Sequence, residues 1–123
     1  MYDHVGLKVK DLAASVRFYG GALAPLGHVL CSSDGSTASF GPPGEPALWL
    51  YASESAGGPA GPGVHVALRA ADRGAVDRFY AGGRDAGGRD NGRPGVRADY
   101  SPTYYAAFLL DPDGNNIEAV CMR

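Results

Sequence analysis

Hydrophobic and polar residues alternate at the start of the chain. Val5, Leu7 and Val9 fall on one side of an extended segment and His4, Gly6 and Lys8 on the other, the period of a β-strand whose two faces are used differently. The period then lengthens. Asp11 can cap a helix, and Leu12, Val16 and Tyr19 recur at spacings of three and four, as residues on one helical face do. At an offset of 61 the pattern returns: "HVGLKVKDLAASVRFY" from His4 to Tyr19 becomes "HVALRAADRGAVDRFY" from His65 to Tyr80, with Asp72 as the cap and Val76, Phe79 and Tyr80 as the stripe. The copies are identical at eight of sixteen positions, namely His4/His65, Val5/Val66, Leu7/Leu68, Asp11/Asp72, Ala14/Ala75, Arg17/Arg78, Phe18/Phe79 and Tyr19/Tyr80. Unrelated segments would share roughly one, so the chain is read as an internal duplication.

Each expected helix runs into glycine, Gly20-Gly21 and then Gly27 in the first copy, Gly82-Gly83 and then Gly87-Gly88 in the second, which marks the helix ends. Short apolar stretches separated by turns follow. In the first half they are His28 to Ser32, Ser36 to Phe40 and Ala47 to Tyr51; in the second, a poorly patterned stretch around Val96, then Tyr104 to Leu110 and Ile117 to Cys121. Each half therefore reads β-α-β-β-β. The closing hairpins correspond as well, "FGPPG" (Phe40 to Gly44) standing where "LDPDG" (Leu110 to Gly114) stands. The acids of the second turn, Asp111 and Asp113, are expected to accept hydrogen bonds from its backbone.

The organisation expected is one domain over residues 1–123, with a first module at 1–54, a glycine- and proline-rich connector at 55–63 ("SAGGPAGPG") and a second module at 64–123. The fold class is α+β: two βαβββ modules related by a pseudo-twofold, their mixed sheets curving into a cup. Eleven Lys and Arg against 13 Asp and Glu, with no basic run carrying aromatics, point away from nucleic acid. No apolar stretch has the length of a membrane span and no secretory leader is apparent, so no membrane partner and a cytoplasmic location are expected. Cys31 and Cys121 are read as reduced thiols, Cys121 packed in an apolar strand.

The candidate chemistry follows from the duplication. His4 and His65 are two of the three histidines, and the pseudo-twofold makes them mates on the strand face opposite the Val/Leu face. Aligning "ALWLY" (Ala47 to Tyr51) with "NIEAV" (Asn116 to Val120) sets Trp49 opposite Glu118. A carboxylate alternating within an apolar strand is costly to bury unless it is paired or bound to metal. If the two faces meet, His4, His65 and Glu118 form a three-ligand set for a divalent ion, open to water and substrate on its other side. The remaining histidine, His28 in "PLGHVL", is expected at the surface.

These residues resemble the vicinal oxygen chelate superfamily, the glyoxalase / bleomycin resistance protein / extradiol dioxygenase group, over the whole chain. "HVGLKVKDLAASVRFY" resembles its first strand and helix, "GVHVAL" its fifth strand and "FLLDPDGNNIEAV" its final hairpin. The resemblance implies a glyoxalase-like fold, commonly a homodimer, with a small-molecule substrate and a divalent ion (Zn, Mn, Fe, Ni or Mg) held by strands one, four, five and eight. Carried over, those positions are His4, Trp49, His65 and Glu118, and tryptophan cannot ligate. Glyoxalase I-type lyases and methylmalonyl-CoA-type epimerases use a carboxylate where Trp49 stands. Extradiol dioxygenases share the His, His, Glu set but add a histidine as acid and base. Fosfomycin-resistance thiol transferases resemble the chain in length, in the same ligand set and in an "LWL" strand, but place threonine where Gly6 stands. The resemblance names no catalytic residue here.

On the substrate side, Trp49 and Tyr51 alternate and can form an aromatic wall. The segment "RDNGRPGVRADYSPTYY" (Arg89 to Tyr105), read as a long loop, offers Arg93, Arg97, Tyr100, Tyr104 and Tyr105 either to a ligand or to a solvated edge. Two functions are expected from these features: a divalent-metal enzyme of lyase, thiol-transferase or dioxygenase type acting on a small oxygen-chelating substrate, or a non-catalytic binder like the bleomycin resistance proteins.

Overall fold

The structure, a computed structural model, describes residues 1–56 and 63–123; most of the expected connector, residues 57–62, lies outside them. Two sheets of four strands are joined by two helices. The first module runs β1 (Val5–Val9), α1 (Leu12–Leu23), a 3-10 turn (Ala24–Leu26), β2 (Val29–Ser33), β3 (Thr37–Gly41) and β4 (Leu48–Ala52). The second runs β5 (His65–Arg69), α2 (Arg73–Asp85), β6 (Arg89–Val96), β7 (Tyr105–Leu110) and β8 (Asn116–Cys121). Strand orders are β1-β4-β3-β2 and β5-β8-β7-β6, the first pair of each parallel and the others antiparallel. The α+β fold of two repeated modules is thus as the alternation implied.

The caps are where the sequence puts them. The Asp11 carboxylate accepts from the Ala14 N–H at 3.1 Å and Asp72 from the Ala75 N–H at 2.7 Å, each satisfying a helix-start donor. The buried face of α1 differs from the Leu12, Val16, Tyr19 stripe, since Ser15, Phe18, Tyr19, Ala22 and Leu23 are the residues fully covered. The helix has two partners, its own sheet and α2, and the second partner rotates the covered surface.

The helices cross backbone to backbone at Gly21 and Gly82, which are equivalent under the 61-residue offset. A Cβ on Gly21 would lie 2.8 Å from the Gly82 carbonyl oxygen, and one on Gly82 would lie 2.5 Å from that of Gly21. Here the sequence suggested only helix ends. α1 rests on β2, β3 and β4, and α2 on β6, β7 and β8, while the helices also pack on each other. The two sheets therefore stand back to back around the helix pair, sharing one core that includes Leu7, Val9, Phe18, Leu50, Phe79, Leu109 and Ile117. The opposite faces, carrying His4 and His65, turn outward.

Polar contacts from the β7–β8 turn lock the modules together. The Tyr19 hydroxyl donates to Asp111 Oδ2 at 2.5 Å, and Asp111, wholly buried, also accepts from the Asn115 N–H and side-chain amide. Asp113 of the same turn accepts from the Lys10 N–H at 2.8 Å. Burial first, and the Asp111 charge second, hold the Tyr19 hydroxyl well above the usual tyrosine range.

The segment expected as a long loop is half strand, and the poorly patterned stretch expected around Val96 is the end of that strand. β6 pairs with β7 but carries two register breaks between Asp90 and Gly95 and a left-handed-region φ of +149° at Gly92. These bulges, with Pro94 on an edge strand, erase the period-2 signal by which a strand is read.

Two stability outcomes follow. Gly82→Ala should destabilise by about 1–3 kcal/mol through overpacking despite alanine's better helix propensity, whereas Gly20→Ala, whose Cβ meets nothing within 4 Å, should stabilise by about 0.5–1 kcal/mol; urea unfolding of both variants checks the opposite signs. In alkali, the folded protein keeps the Tyr19 proton that the unfolded chain releases near pH 10, so the Tyr19 contribution is complete below that pH and is lost above it. Wild-type stability should accordingly fall more steeply above pH 10 than that of Tyr19→Phe.

Candidate metal and ligand site

The β5–β8 and β1–β4 registers define two equivalent surfaces. Glu118 pairs with Ala67, and Trp49 pairs with Gly6, the residue equivalent to Ala67. Trp49 and Glu118 therefore occupy matching places in the two sheets, each beside the strand led by its histidine.

On the second sheet, Glu118 is flanked by Ala67 on β5 and Phe108 on β7 and is 2% exposed. His65 Nε2 lies 3.1 Å from Glu118 Oε2. The other ring nitrogen, Nδ1, is 3.1 Å from the Asn116 carbonyl oxygen, which can only accept, so Nδ1 carries the proton. Nε2 and a carboxylate oxygen thus face one another, an arrangement that closes over either a second proton or a cation. Two donors about 3 Å apart also suit neighbouring positions on one ion at about 2.0–2.2 Å from each. The residues present accordingly fit a divalent ion, as a half-site of two ligands.

The second carboxylate oxygen, Oε1, accepts from the Tyr104 hydroxyl. That bond first, then burial and the Glu118 charge, push the Tyr104 pKa up to about 12. Tyr100 meets the Tyr104 ring edge-on, centroids 4.9 Å apart at 76°. The Arg97 guanidinium sits 5.3 Å from the Phe108 ring centroid and is anchored to the carbonyls of Gly95 at 2.9 Å and Arg93 at 2.6 Å. His65 lies against the same ring, centroids 6.3 Å apart. Arg97, Tyr100 and Tyr104 therefore gather around the His65–Glu118 pair. Arg93 contributes its carbonyl to this group and its side chain is exposed. Tyr105 is turned to the opposite face by strand alternation: its hydroxyl donates to Asp77 at 2.6 Å and Arg73 covers its ring at 4.9 Å.

On the first sheet, His4 lies just before β1, with Nδ1 2.7 Å from Asp3 Oδ1, and is more than half exposed. With Asp3, Pro46, Trp49 and Tyr51 it lines an open cavity. The Trp49 and Tyr51 rings are nearly parallel, 6.4 Å apart at 16°, and Tyr51 lies over Gly6 so closely that a Cβ there would sit 2.8 Å from its ring. His4 does not join His65 and Glu118, and among the described residues no three His, Cys, Asp or Glu side chains come together as a metal cluster.

His28 is not the surface residue expected from its strand-start position. Its Nδ1 is buried without a hydrogen-bond partner, burial lowers its pKa, and it lines a cavity of about 240 Å³ between the modules with Leu23, Phe40, Val66 and Leu68. Phe108 was also not among the sequence candidates. Counting outward from the Asp111–Gly114 turn would have paired it with Glu118, but only a known turn length fixes that count.

The sequence model of the "Glyoxalase/Bleomycin resistance protein/Dioxygenase superfamily" matches residues 2–119. A glyoxalase/bleomycin resistance protein from Albidiferax ferrireducens T118 superposes with a TM-score of 0.82 at 31% identity, covering 98% of each chain. A glyoxalase/dioxygenase from Nostoc punctiforme gives 0.73 at 22% identity, over 100% of this chain and 91% of that one. A bleomycin resistance determinant encoded on the transposon Tn5 gives 0.62 at 20% identity, over 94% and 92%. No curated protein matches the chain.

Gly6→Ala should displace the Tyr51 ring from its place beside Trp49, the one tryptophan of the chain, with a stability change within about 1 kcal/mol because the side chain that must move is exposed. A shift of tryptophan emission is the expected reading. Unchanged emission would show that the ring does not rest on Gly6 in solution.

Proposed function

Because the chain belongs to the glyoxalase/bleomycin resistance protein/dioxygenase superfamily, we propose that it is a divalent-metal enzyme acting on a small oxygen-chelating substrate, its ion held by His65 and Glu118 of one copy and His4 of a second. The observation that carries this reading is the convergence of His65 Nε2 on Oε2 of an almost fully buried carboxylate. An acid at that depth is retained against its desolvation cost when it has a charge to meet.

The helix crossing is the reason for involving a second copy. With the sheets back to back, the two histidine faces of one chain point away from each other, and β1 and β5 each have a strand partner on one side only. A second chain laid along β1 and β5 would bring its His4 face to the His65–Glu118 face and cover exposed Tyr2, Tyr51, Val64 and Met122. The resulting homodimer would have two equivalent cups.

In each cup the bound ion would act as a Lewis acid toward neighbouring substrate oxygens. The residues of the chain supply the rest. Trp49 and Tyr51 offer a flat surface on which a planar substrate can stack. Arg97, held against Phe108, keeps guanidinium donors for a substrate anion. The Tyr104 hydroxyl donates its hydrogen bond to Glu118. Trp49, at the place matching Glu118, cannot supply a second carboxylate from that strand position.

A second reading rests on the same tryptophan. The near-parallel Trp49 and Tyr51 rings beside an open cavity also suit a non-catalytic protein that captures an aromatic ligand by stacking.

Plasma mass spectrometry of untagged protein tests the first reading. Wild type should carry about one ion per chain, and His4→Ala, His65→Ala and Glu118→Ala should each lose it. Co-expressing His4→Ala with Glu118→Ala should restore one ion per mixed dimer, since one cup then keeps all three ligands. No restoration would place the site within a single chain, and a wild type metal-free after incubation with Mn, Fe, Ni and Zn would leave the binder, to be tested by quenching of Trp49 fluorescence.

A further inference from the structure

We propose that Tyr104 is a positioning residue: it holds Glu118 as a one-oxygen ligand, so that the opposite face of the ion stays open to substrate. This rests on the metal reading above. The carboxylate emerges from the middle of β8 between Ala67 and Phe108, at 2% exposure, so water cannot satisfy both of its oxygens. Oε2 faces His65 Nε2 at 3.1 Å, and Oε1 accepts from the Tyr104 hydroxyl. The phenol therefore decides which oxygen the histidine side of the site sees. Without it, Oε1 would be buried and unpaired, and the carboxylate would turn to present both oxygens to the ion, using a position that a chelating substrate needs.

The phenol is itself fixed by the turn that carries it. The Arg97 N–H donates to the Tyr104 carbonyl at 2.7 Å, the Tyr100 N–H to the Arg97 carbonyl at 2.9 Å and the Tyr104 N–H to the Ser101 carbonyl at 3.3 Å. Tyr100 abuts the Tyr104 ring edge-on, and Arg97 of the same turn lies over Phe108, the strand neighbour of Glu118. One short turn, closed by its own backbone, thus places both the hydroxyl on the carboxylate and the cation against the adjoining ring. Outer hydrogen bonds of this kind orient metal ligands and set their affinity. A tyrosine that merely satisfied a buried acid would need no such support and would leave the properties of a bound ion untouched.

Cobalt(II) added to chelator-treated protein distinguishes the two roles, with affinity read by chelator competition and coordination by the visible d–d band. Tyr104→Phe, its metal-free thermal unfolding compared with wild type, should bind cobalt about 10- to 100-fold more weakly. Its band should also be weaker, as a second carboxylate oxygen raises the coordination number. Equal affinity and an identical band in Tyr104→Phe would overturn the positioning role and leave the metal reading intact. A wild type that takes up no cobalt would overturn both. Should Tyr104→Phe not fold, Tyr100→Ala, altered at a residue 66% exposed, should weaken cobalt binding several-fold, and wild-type binding and spectrum there would count against the proposal.

Discussion

Two glycines without side chains decide where everything else in the molecule stands. Gly21 and Gly82 let α1 and α2 touch backbone to backbone, and this contact, repeated by the duplication at equivalent positions, fixes the sheets back to back. The core then lies between the sheets and the helices, and the histidine faces turn outward. A helix pair kept apart by even one methyl group at the crossing would have to separate or slide, and Phe18, Gly83 and Leu109, which pack at the same junction, would lose their fit.

The duplication is kept at the helix crossing, the two caps and the strand orders, and it is broken at the last turn of each module and at Trp49 and Glu118. The β7–β8 turn holds Asp111 and Asp113, which reach across to Tyr19 and Lys10; the corresponding β3–β4 turn has Gly41 and Pro43 in their places, and its one acid, Glu45, is exposed. Only α1 is therefore tied to the other module by a buried hydrogen-bonded acid. The same divergence set Glu118 in one sheet and Trp49 in the matching place of the other. One half became an acid with a histidine and a phenol on its two oxygens, the other an aromatic surface beside an exposed histidine. A symmetric scaffold thus presents two different surfaces.

The polar group around Glu118 is held to the same standard as a core. Each oxygen has a partner, His65 is oriented by a backbone carbonyl, and Tyr104 is oriented by its turn. Buried networks of this kind are favourable only when every member is satisfied. The buried Asp111 group meets the same standard, whereas His28 Nδ1 is buried beside an inter-module cavity without a partner.

Local pattern alone determined the elements and the repeat. Alternation defined β1 and β5, Asp11 and Asp72 defined the helix starts, and the 61-residue offset made Trp49 the counterpart of Glu118, because strand and helix periods and capping are short-range properties written residue by residue. Alternation was equally enough to separate Tyr104 from Tyr105, had the strand boundary been known. β6 was legible only as a poorly patterned stretch around Val96 because its bulges cancel the period, and Phe108 was hidden because strand pairing depends on turn length. What only the tertiary structure decided was the relation between the modules. Whether His4 faces His65 within a chain depends on which helix surfaces meet, and that was set by the absence of two Cβ atoms at Gly21 and Gly82, whose effect appears only when the helices are brought together.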